Sequence, residues 1–462
     1  MVTRRRLETV ALVVVVVAAG IGVFLVDRGP APRTALTSGS SVVDGAPEQL
    51  RAPTAPTRVR ALHDRNVTGA TATVGVVAVT RVNTAHPKLA PRVTDERSFG
   101  SASQEPGGHG TAAALTLASV APDADILVAT ADSTEDARQA IVWLAAQDVD
   151  VLLVPATELG APDDGTGTLA GAATRAADRG SLVVVPTGNL ARNHWQGQLH
   201  PTRRGLHTFG DGTRLSLFPP VGAGTQAGGR VQAQLRWNAS AYPRDLDLEL
   251  YRSDPAGISR VATSERIRTG PVRTERLDAH ARPGDLFLAV RFPNRTVRRF
   301  NPLSARIEIT THRHRLANAT AAGSIASPAT ATSALAIGAA APDEHGVAPY
   351  SSQGPTTDRR RGVDLVATPT VWSGSREGTS AAAAYVAGVA ALVSAAGDAP
   401  PPRVAATLCH TATDVPPPGP DRRTGYGRLD VTAAVNATGE AGRSTDHSRP
   451  TRIPDYPARK LC

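Results

Sequence analysis

Short apolar runs alternate with stretches of helical character along the chain from Val67 onwards. The runs are rich in valine and bounded by Gly, Pro or Asp: TATVGVVAV, ADILVAT, VDVLLVPA and GSLVVVPTG. Continuous β-branched runs of this length are typical of strands that are covered on both faces. Between them, STEDARQAIVWLAAQD and DGTGTLAGAATRAADRG have the composition of helices. Strands that alternate with helices predict a parallel α/β sheet with helices on both faces.

The pattern changes near Arg204. Between about 205 and 312, runs such as RVQAQLRWNAS, DLDLELYRSD and GDLFLAVRF alternate apolar with polar residues and are separated by turn residues. This pattern is typical of an antiparallel β-sandwich. The α/β pattern then returns, so we predict that the sandwich is inserted into one larger domain. The parts of that domain are 61–204 and 313–435, and 436–462 is a C-terminal tail.

One strand of the predicted sandwich has an acidic face. In DLDLELY, Asp245, Asp247 and Glu249 fall on one side of the strand and three leucines fall on the other. A solvated strand face is the favoured interpretation, and a structural calcium site is the alternative. No cofactor is predicted to be required.

The N-terminus has the features of a membrane anchor. Arg4–Arg6 precede an uncharged apolar run of 18 residues, Thr9–Val26, and at about 1.5 Å per residue such a helix nearly crosses a bilayer core. We expect 1–8 to be a basic stub in the cytoplasm, 9–26 to span the membrane, and 27–60 to be an extended linker. The main domain would then lie outside the cytoplasm. The alternative is a cleaved signal peptide and a secreted main domain.

Composition sets further limits. Apolar residues make up 41% of the chain and aromatic residues only 4%, so Val, Ala and Leu must fill the core. The net charge of +9 comes from scattered arginines without a basic and aromatic patch, so no nucleic-acid partner is expected. Cys409 and Cys462 could pair in an oxidising compartment, and two free thiols are the alternative.

Three residues at the ends of predicted elements carry candidate chemistry. Ser380 begins the helix EGTSAAAAYVAGVAALVSAAG, His109 lies in a glycine-rich turn, and Asn189 follows a buried strand in VVVPTGNLARN. Open α/β sheets place their ligands at the carboxyl ends of the strands. There, a hydroxyl, an imidazole and an amide would supply a nucleophile, a base and an oxyanion donor. The alternatives are that Ser380 is a plain helix cap and His109 a structural turn residue.

The motifs around these residues resemble those of the subtilisin-like serine proteases, the subtilases. GHGT resembles the family's histidine motif, PTGN its oxyanion segment and GTSAAAAYVAG its nucleophile motif, in the family's order. VAPDADIL, YSSQGPTTDRRRGVDLVA and GYGRLDVTAAV extend the resemblance over about 60–435. It implies a subtilisin-like fold with Ser380 as nucleophile, His109 as general base and Asn189 as oxyanion donor.

The chain departs from the subtilase pattern at its first core strand. The family's catalytic aspartate aligns with Ala78 or, in a second alignment, with Val79, and neither position has a carboxylate. That aspartate orients the imidazole and stabilises its cation. In subtilisin itself, its loss alone costs about 3 × 10⁴ in turnover. Pro155, where the family pairs with substrate, has no N–H to donate.

Three possible functions are consistent with this combination of matches to and departures from the subtilase pattern. The resemblance implies a serine endopeptidase that cleaves extracytoplasmic proteins or peptides through an acyl-enzyme on Ser380, with low activity. The first alternative is a pseudoprotease that binds peptides or a partner, and the second is an adhesion or scaffold protein that uses the sandwich. The expected partners are an extended peptide or protein substrate and the membrane.

Overall fold

The computed structural model describes residues 36–38, 56–100, 108–202, 204–220, 226–238, 245–268, 272–292, 306–342, 346–369, 378–397, 399–441 and 462. The predicted membrane anchor, 9–26, lies outside these residues, as do most of the predicted linker and nearly all of the part of the C-terminal tail after 441.

The strands within the described residues, in chain order, are β1 (Leu36–Ser38), β2 (Thr73–Ala78), β3 (Val93–Ser98), β4 (Asp125–Thr130), β5 (Val151–Leu153), β6 (Ala156–Glu158), β7 (Leu182–Pro186), β8 (His194–Gln198), β9 (Ser216–Leu217), β10 (Ala227–Asn238), β11 (Asp247–Asp254), β12 (Gly257–Thr263), β13 (Glu265–Arg268), β14 (Val272–Arg291), β15 (Arg306–Thr311), β16 (Ala334–Ala339) and β17 (Leu365–Ala367). The helices are α1 (Thr57–His63), α2 (Gly108–Val120), α3 (Thr134–Ala145), α4 (Thr168–Asp178), α5 (Thr379–Gly397), α6 (Pro401–His410) and α7 (Val431–Ala441).

A seven-stranded parallel sheet organises the larger domain. Its spatial order is β17-β16-β7-β5-β2-β4-β3, and every neighbouring pair is parallel. In β2 the side chains alternate, so that Val76 and Ala78 pack with α1, α2, α5, α6 and α7, whereas Val77 packs with α3 and α4. The predicted fold class, a parallel α/β sheet covered on both faces plus antiparallel β-structure, is confirmed.

Helix α5 is the central helix of one face of this sheet. Its residues from Thr379 to Val393 are all buried, as expected of a helix that is apolar all round. Among the described residues, it is the one helix long and apolar enough to cross a membrane, and 78% of that window is buried inside the protein. At Gly388 it passes close to α2, because an added Cβ would lie 2.6 Å from Cβ of Val120.

The inserted strands form one continuous eight-stranded antiparallel sheet rather than two separate sheets. The cause is the long strand β14, which pairs with β10 over 272–284 and with β11 over 285–291. The sheet encloses one apolar core that includes Trp195, Trp237 and Phe209. It also begins earlier than the predicted boundary at 205, because β8 pairs with β15.

The acidic face of β11 differs from the favoured prediction of a solvated surface. Glu249 is buried, and its carboxylate accepts hydrogen bonds from Tyr251 at 2.6 Å and from Arg260 and Arg291 at 2.7 Å each. Burial raises the pKa of Glu249, but hydrogen bonds from these three residues outweigh it, so the net pKa is lowered. The prediction was wrong for Glu249 because strands β12 and β14 each place an arginine over it.

Part of the predicted linker 27–60 is ordered into strand and helix. β1 pairs antiparallel with β6, and its register sets Leu36 opposite Glu158, Thr37 opposite Thr157, and Ser38 opposite Ala156. Helix α1 begins at Thr57, also inside the predicted linker. The linker prediction was wrong at these two places because the edge of β6 offers backbone groups for pairing and α1 buries Val59 and Leu62.

A disulfide joins the two cysteines. Cys409 in α6 is bonded to Cys462, and their Cα atoms are 5.9 Å apart. Of the two alternatives left by the sequence, pairing is the one present. The bond holds Cys462 against the core that contains α5 and α6.

Candidate active site

Ser380 lies in the first turn of α5, at the carboxyl edge of the parallel sheet. It is almost completely buried, and its hydroxyl donates a hydrogen bond to the carbonyl of Pro155 at 3.2 Å. Pro155 follows β5 by two residues, so the bond ties the start of α5 to the end of a central strand. A serine hydroxyl has one hydrogen. In this structure that hydrogen is directed at the Pro155 carbonyl.

Asn189 is held next to Ser380 by Thr379, the residue that precedes Ser380. Asn189 Oδ1 accepts hydrogen bonds from the backbone N–H and the hydroxyl of Thr379, both at 3.0 Å. These bonds fix which end of the amide faces α5, so the NH₂ group points elsewhere. Asn189 Nδ2 is buried and has no hydrogen-bond partner among the described residues. An amide donor held in this way beside a serine is suited to bind an oxyanion.

His109 is the second residue of α2, on the face of the sheet that also carries α5. It is buried, and the start of its helix is held by two threonines. Gly110 N–H donates to Oγ1 of Thr80 at 2.8 Å, and Asn83 N–H donates to Oγ1 of Thr111 at 2.9 Å. The segment after β2 therefore fixes the position of the His109 helix. A direct approach of His109 to the Ser380 hydroxyl stays a prediction.

The end of β2 decides between the two alignments of the missing carboxylate. A Cβ at Gly110 would lie 3.0 Å from the Ala78 Cβ, so Ala78 contacts the residue next to His109. Ala78 packs on the α2 and α5 face, whereas Val79 packs in the cluster on the opposite face of the sheet. Of the two positions, Ala78 is therefore the one on the face of the sheet that carries the His109 helix.

Strand β6 begins directly after Pro155, and one of its edges pairs with β1 through backbone hydrogen bonds. The N–H of Ala156 donates to Val154 and the N–H of Glu158 donates to Ser327, both at 2.8 Å. Alternate residues of a strand direct their backbone groups to opposite sides, so the N–H and C=O of Thr157 face β1. The residue without an N–H, Pro155, stands outside this pairing. Its presence therefore does not remove the edge.

A buried ion network joins the antiparallel sheet to the segment after β6. Arg236 in β10 pairs with Glu308 in β15, with Asp163 at 2.8 Å, and with the carbonyl of Ala161 at 2.9 Å. Burial lowers the pKa of the Arg236 guanidinium, but the charges of Glu308 and Asp163 outweigh it and raise that pKa above its usual value. Asp163 also accepts a hydrogen bond from the Thr357 hydroxyl at 2.6 Å. The network braces the segment after β6.

The carboxylates of Asp245, Asp247 and Glu275 come close enough together to hold a metal ion. Arg266, however, pairs with both Asp245 and Glu275, and Ser264 donates a hydrogen bond to Glu275. The arginine supplies the positive charge that a cation would bring. These residues therefore do not fit a calcium site, and no step of the chemistry is assigned to a metal.

The family model described as "Subtilase family" matches residues 310–427, a segment that includes Ser380. Over this segment the chain is similar to the subtilase family. Among solved structures, the Clostridium perfringens CspB protease has a TM-score of 0.56 at 14% identity, covering 84% of this chain and 98% of that one. This likeness confirms the subtilisin-like fold.

Two other solved structures have lower scores. The prenylagaramide maturation protease PagA has a TM-score of 0.45 at 14% identity and covers 82% of this chain and 98% of that one. A lanthipeptide protease has a TM-score of 0.44 at 16% identity and covers 82% and 92% of the two chains. None of the curated proteins compared with the sequence matches it.

The structure adds three residues to the candidate site that the sequence alone did not single out. Thr379 orients Asn189, Thr80 anchors the His109 helix, and Thr157 lies opposite Thr37 in the pairing of β6 with β1. Thr379 stands next to Ser380 in GTS, so its role could have been suspected from the motif. The roles of the other two depend on contacts with distant parts of the chain.

Proposed function

We propose that this subtilase is a serine endopeptidase of low activity that acts on extended peptides or proteins. Ser380 would attack the peptide carbonyl, His109 would take its proton and return it to the leaving amine, and water would release the acyl group. Asn189 Nδ2 would bind the oxyanion. The observation that carries the proposal is the orientation of the Asn189 amide by Thr379, which leaves a buried donor beside the nucleophile.

Two observations support a slow reaction. The Ser380 hydroxyl must rotate away from Pro155 before it can give its proton to His109. Ala78 supplies no carboxylate on the face of the sheet that carries the His109 helix, so the imidazolium is less stabilised. The oxyanion donor and peptide binding still give roughly 10³- to 10⁴-fold over water in enzymes of this type.

Fluorophosphonate labelling of the purified full-length protein tests the proposal. Such reagents modify a serine only when a base activates it and an oxyanion site accepts the adduct. We expect slow labelling at Ser380, none in Ser380→Ala, and weak hydrolysis of peptides. Ala78→Asp should raise the labelling rate by about tenfold or more. This gain is smaller than the factor that loss of the family's aspartate costs, because the new carboxylate lacks supporting contacts.

Two variants control for the graft. Ala78→Asn has nearly the same shape without the charge, and Val79→Asp places the charge on the opposite face of the sheet. Neither should raise the labelling rate. If neither the wild type nor Ala78→Asp is labelled, the peptidase proposal is overturned and the pseudoprotease is favoured. The observation that supports the pseudoprotease is the alanine at position 78.

The proposed location is the cell membrane, with one N-terminal span at 9–26 and the main domain outside the cytoplasm. The apolar run and its preceding arginines support the span, and the Cys409–Cys462 disulfide supports an oxidising compartment. Alkaline extraction of membranes should leave the protein in the pellet. A soluble protein that begins after residue 26 would instead indicate a cleaved signal peptide.

A further inference from the structure

We propose that four arginines on two neighbouring loops form a basic patch that docks on an anionic phospholipid surface. The basic patch consists of Arg359, Arg361, Arg422 and Arg423. In the sequence the two pairs are about sixty residues apart, and only the fold makes them one surface. The inference rests on the proposed location at a membrane and is independent of the chemistry at Ser380.

The two loops of the basic patch meet at Gly354. A Cβ added to Gly354 would clash with the carbonyl oxygen of Arg361 and would lie 3.7 Å from the Cβ of Arg422. The Gly354 N–H donates to the carbonyl of Arg422 at 2.9 Å, and the Tyr426 N–H donates to the carbonyl of Asp364 at 2.8 Å. Because backbone hydrogen bonds join the loops, the arginines are held on one fixed surface.

Most of the charge of the basic patch is not neutralised within the described part of the chain. Three of its arginines are exposed and have no carboxylate partner among the described residues: Arg359, Arg422 and Arg423. The nearby carboxylates are engaged elsewhere. Asp358 pairs with Arg360 at 2.6 Å, and Asp421 accepts the backbone N–H of Arg423 at 2.6 Å. Three guanidinium groups therefore face the solvent with their charge available to a partner.

Arg359 also has a backbone conformation that arginine rarely adopts. Its φ is 68°, in the left-handed region, where glycine or asparagine is favoured. The Arg359 N–H donates to the carbonyl of Thr356 at 2.9 Å, and the Thr356 N–H donates to the carbonyl of Arg360 at 3.1 Å, so the turn is closed. Strain that is retained at an exposed residue points to a use for its side chain.

The chemistry of the basic patch favours a phosphate-bearing membrane surface over a nucleic acid. Nucleic-acid binders combine basic side chains with aromatic rings on which bases stack. The ring of Tyr426 beside the patch carries the Arg361 guanidinium on its face, 4.3 Å from its centroid, and also packs with the His410 ring at 6.1 Å. A lipid surface needs accessible cationic charges and no stacking platform.

The basic patch lies within reach of the proposed membrane span. That span ends at Val26, and Leu36, the first described residue, pairs with Glu158. The Glu158 N–H donates to the carbonyl of Ser327 at 2.8 Å, and the carbonyl three residues further on accepts from Arg360 at 2.7 Å. About ten residues reach at most about 35 Å. In the proposed topology, chain length alone therefore keeps this face of the domain near the bilayer.

The experiment compares the full-length protein in two kinds of vesicle, phosphatidylcholine alone and equal parts of phosphatidylcholine and phosphatidylglycerol. Phenylglyoxal modifies accessible guanidinium groups, and mass spectrometry gives the rate at each arginine. In the anionic vesicles the rates at the basic patch should fall about fivefold per arginine. Three exposed arginines elsewhere are internal controls whose rates should not change: Arg175, Arg179 and Arg214. At about 1 M salt, where the Debye length is about 3 Å, the difference should vanish.

Two triple variants separate the charge of the basic patch from the net charge of the chain. The first removes three charges from the patch: Arg359→Gln, Arg422→Gln and Arg423→Gln. The second removes three charges elsewhere: Arg175→Gln, Arg179→Gln and Arg214→Gln. The protection of Arg361 by anionic vesicles should be lost in the first variant and kept in the second. Lysine in place of glutamine at the three patch positions should keep the protection, because a membrane surface responds to charge.

Equal modification rates in the two kinds of vesicle would overturn the proposal. Equal protection by inorganic phosphate or by polyglutamate, added to phosphatidylcholine vesicles, would overturn the membrane as the partner. Equal loss of protection in the two glutamine variants would show that net charge, and not the basic patch, draws the protein to the surface. If the patch is protected while alkaline extraction releases the protein, the patch stands and the proposed membrane span fails.

Discussion

The parallel and the antiparallel sheets of this protein are stabilised by different interactions. The parallel sheet and its helices are packed almost entirely from Ala, Val and Leu, and α5 is buried from Thr379 to Val393. The antiparallel sheet contains most of the ion pairs in the described part of the chain, including carboxylates as deeply buried as Glu249 and Glu275. Close packing of small side chains holds the first region, and paired charges hold the second.

The contrast implies that different kinds of substitution destabilise the two sheets. Small side chains at helix crossings leave little room for an added atom, because protein interiors are close-packed. Buried charges tolerate changes of shape better than the loss of a partner, because an unpaired buried charge is costly. The segment after β6 lies where these regions meet, since Arg236 of the antiparallel sheet binds Ala161 and Asp163.

The largest effect should come from removing the charge that joins the two regions. Arg236→Leu leaves Glu308 and Asp163 without their buried partner, and we expect a loss of about 3–5 kcal/mol in the free energy of unfolding. Arg230→Leu is the control: Arg230 pairs with Asp278 on the surface, where such a pair contributes about 0–1 kcal/mol. Urea titration of both variants measures the difference. Equal losses would show that the Arg236 network does not join the regions.

Acid should destabilise the antiparallel sheet. Burial, with a smaller contribution from the charge of His200, lowers the pKa of His207 to about 4, and burial lowers the pKa of His312 to about 4. Their neutral forms are favoured in the folded state, so stability is complete above about pH 6.5 and is lost as the pH falls towards 4. One histidine accounts for up to about 3 kcal/mol over this range.

Tryptophan fluorescence at pH 4 to 7 measures that loss, because Trp195 packs on His207 with ring centroids 5.0 Å apart. His207→Asn keeps an acceptor for the N–H of His200, which donates to Nδ1 of His207 at 3.1 Å, but does not titrate here. The His207→Asn variant should have a free energy of unfolding that depends less on pH. An unchanged pH profile would assign the acid sensitivity to other groups.

The smallest expected effect concerns one added methyl group in the helices of the parallel sheet. Gly388→Ala would place a Cβ 2.6 Å from Cβ of Val120, and we expect a loss of about 1–3 kcal/mol despite the better helix propensity of alanine. In Gly171→Ala of α4, the new Cβ would meet only the end of the Arg175 side chain at 3.6 Å, so that variant should gain up to about 1 kcal/mol. Thermal unfolding compares the two, and a stabilised Gly388→Ala would contradict close packing at this crossing.

The sequence was sufficient for the parallel sheet because its signals are local. Valine-rich runs, a capping Ser133 that accepts from the N–H of Asp136, and a helix apolar all round each predict one element without knowledge of its partners. The candidate site was predicted from the same local signals, since Ser380 and Asn189 stand at element ends. The contact of Asn189 with Thr379 follows from where those ends meet.

The errors arose where the outcome depends on distant partners. Glu249 has the alternation of a solvated strand face, and only the arginines of β12 and β14 explain its burial. β1 has no periodicity of its own, and it is a strand because β6, more than a hundred residues later, offers an edge. The choice between Ala78 and Val79 also required knowing which face of the sheet carries α2.

The two chain segments that lead into and out of the antiparallel sheet lie side by side. Ala326 N–H donates to the carbonyl of Thr187 at 3.0 Å, one strand position beyond the parallel pairing of β7 with β16. An insertion whose ends touch costs the host domain little closure entropy, whatever its size. This point of the fold is therefore a junction at which evolution could exchange whole modules, and a module entering there starts two residues from Asn189, the proposed oxyanion donor. A chain of this design can acquire new partners through such an exchange while Ser380, His109 and Asn189 keep their place in the sequence.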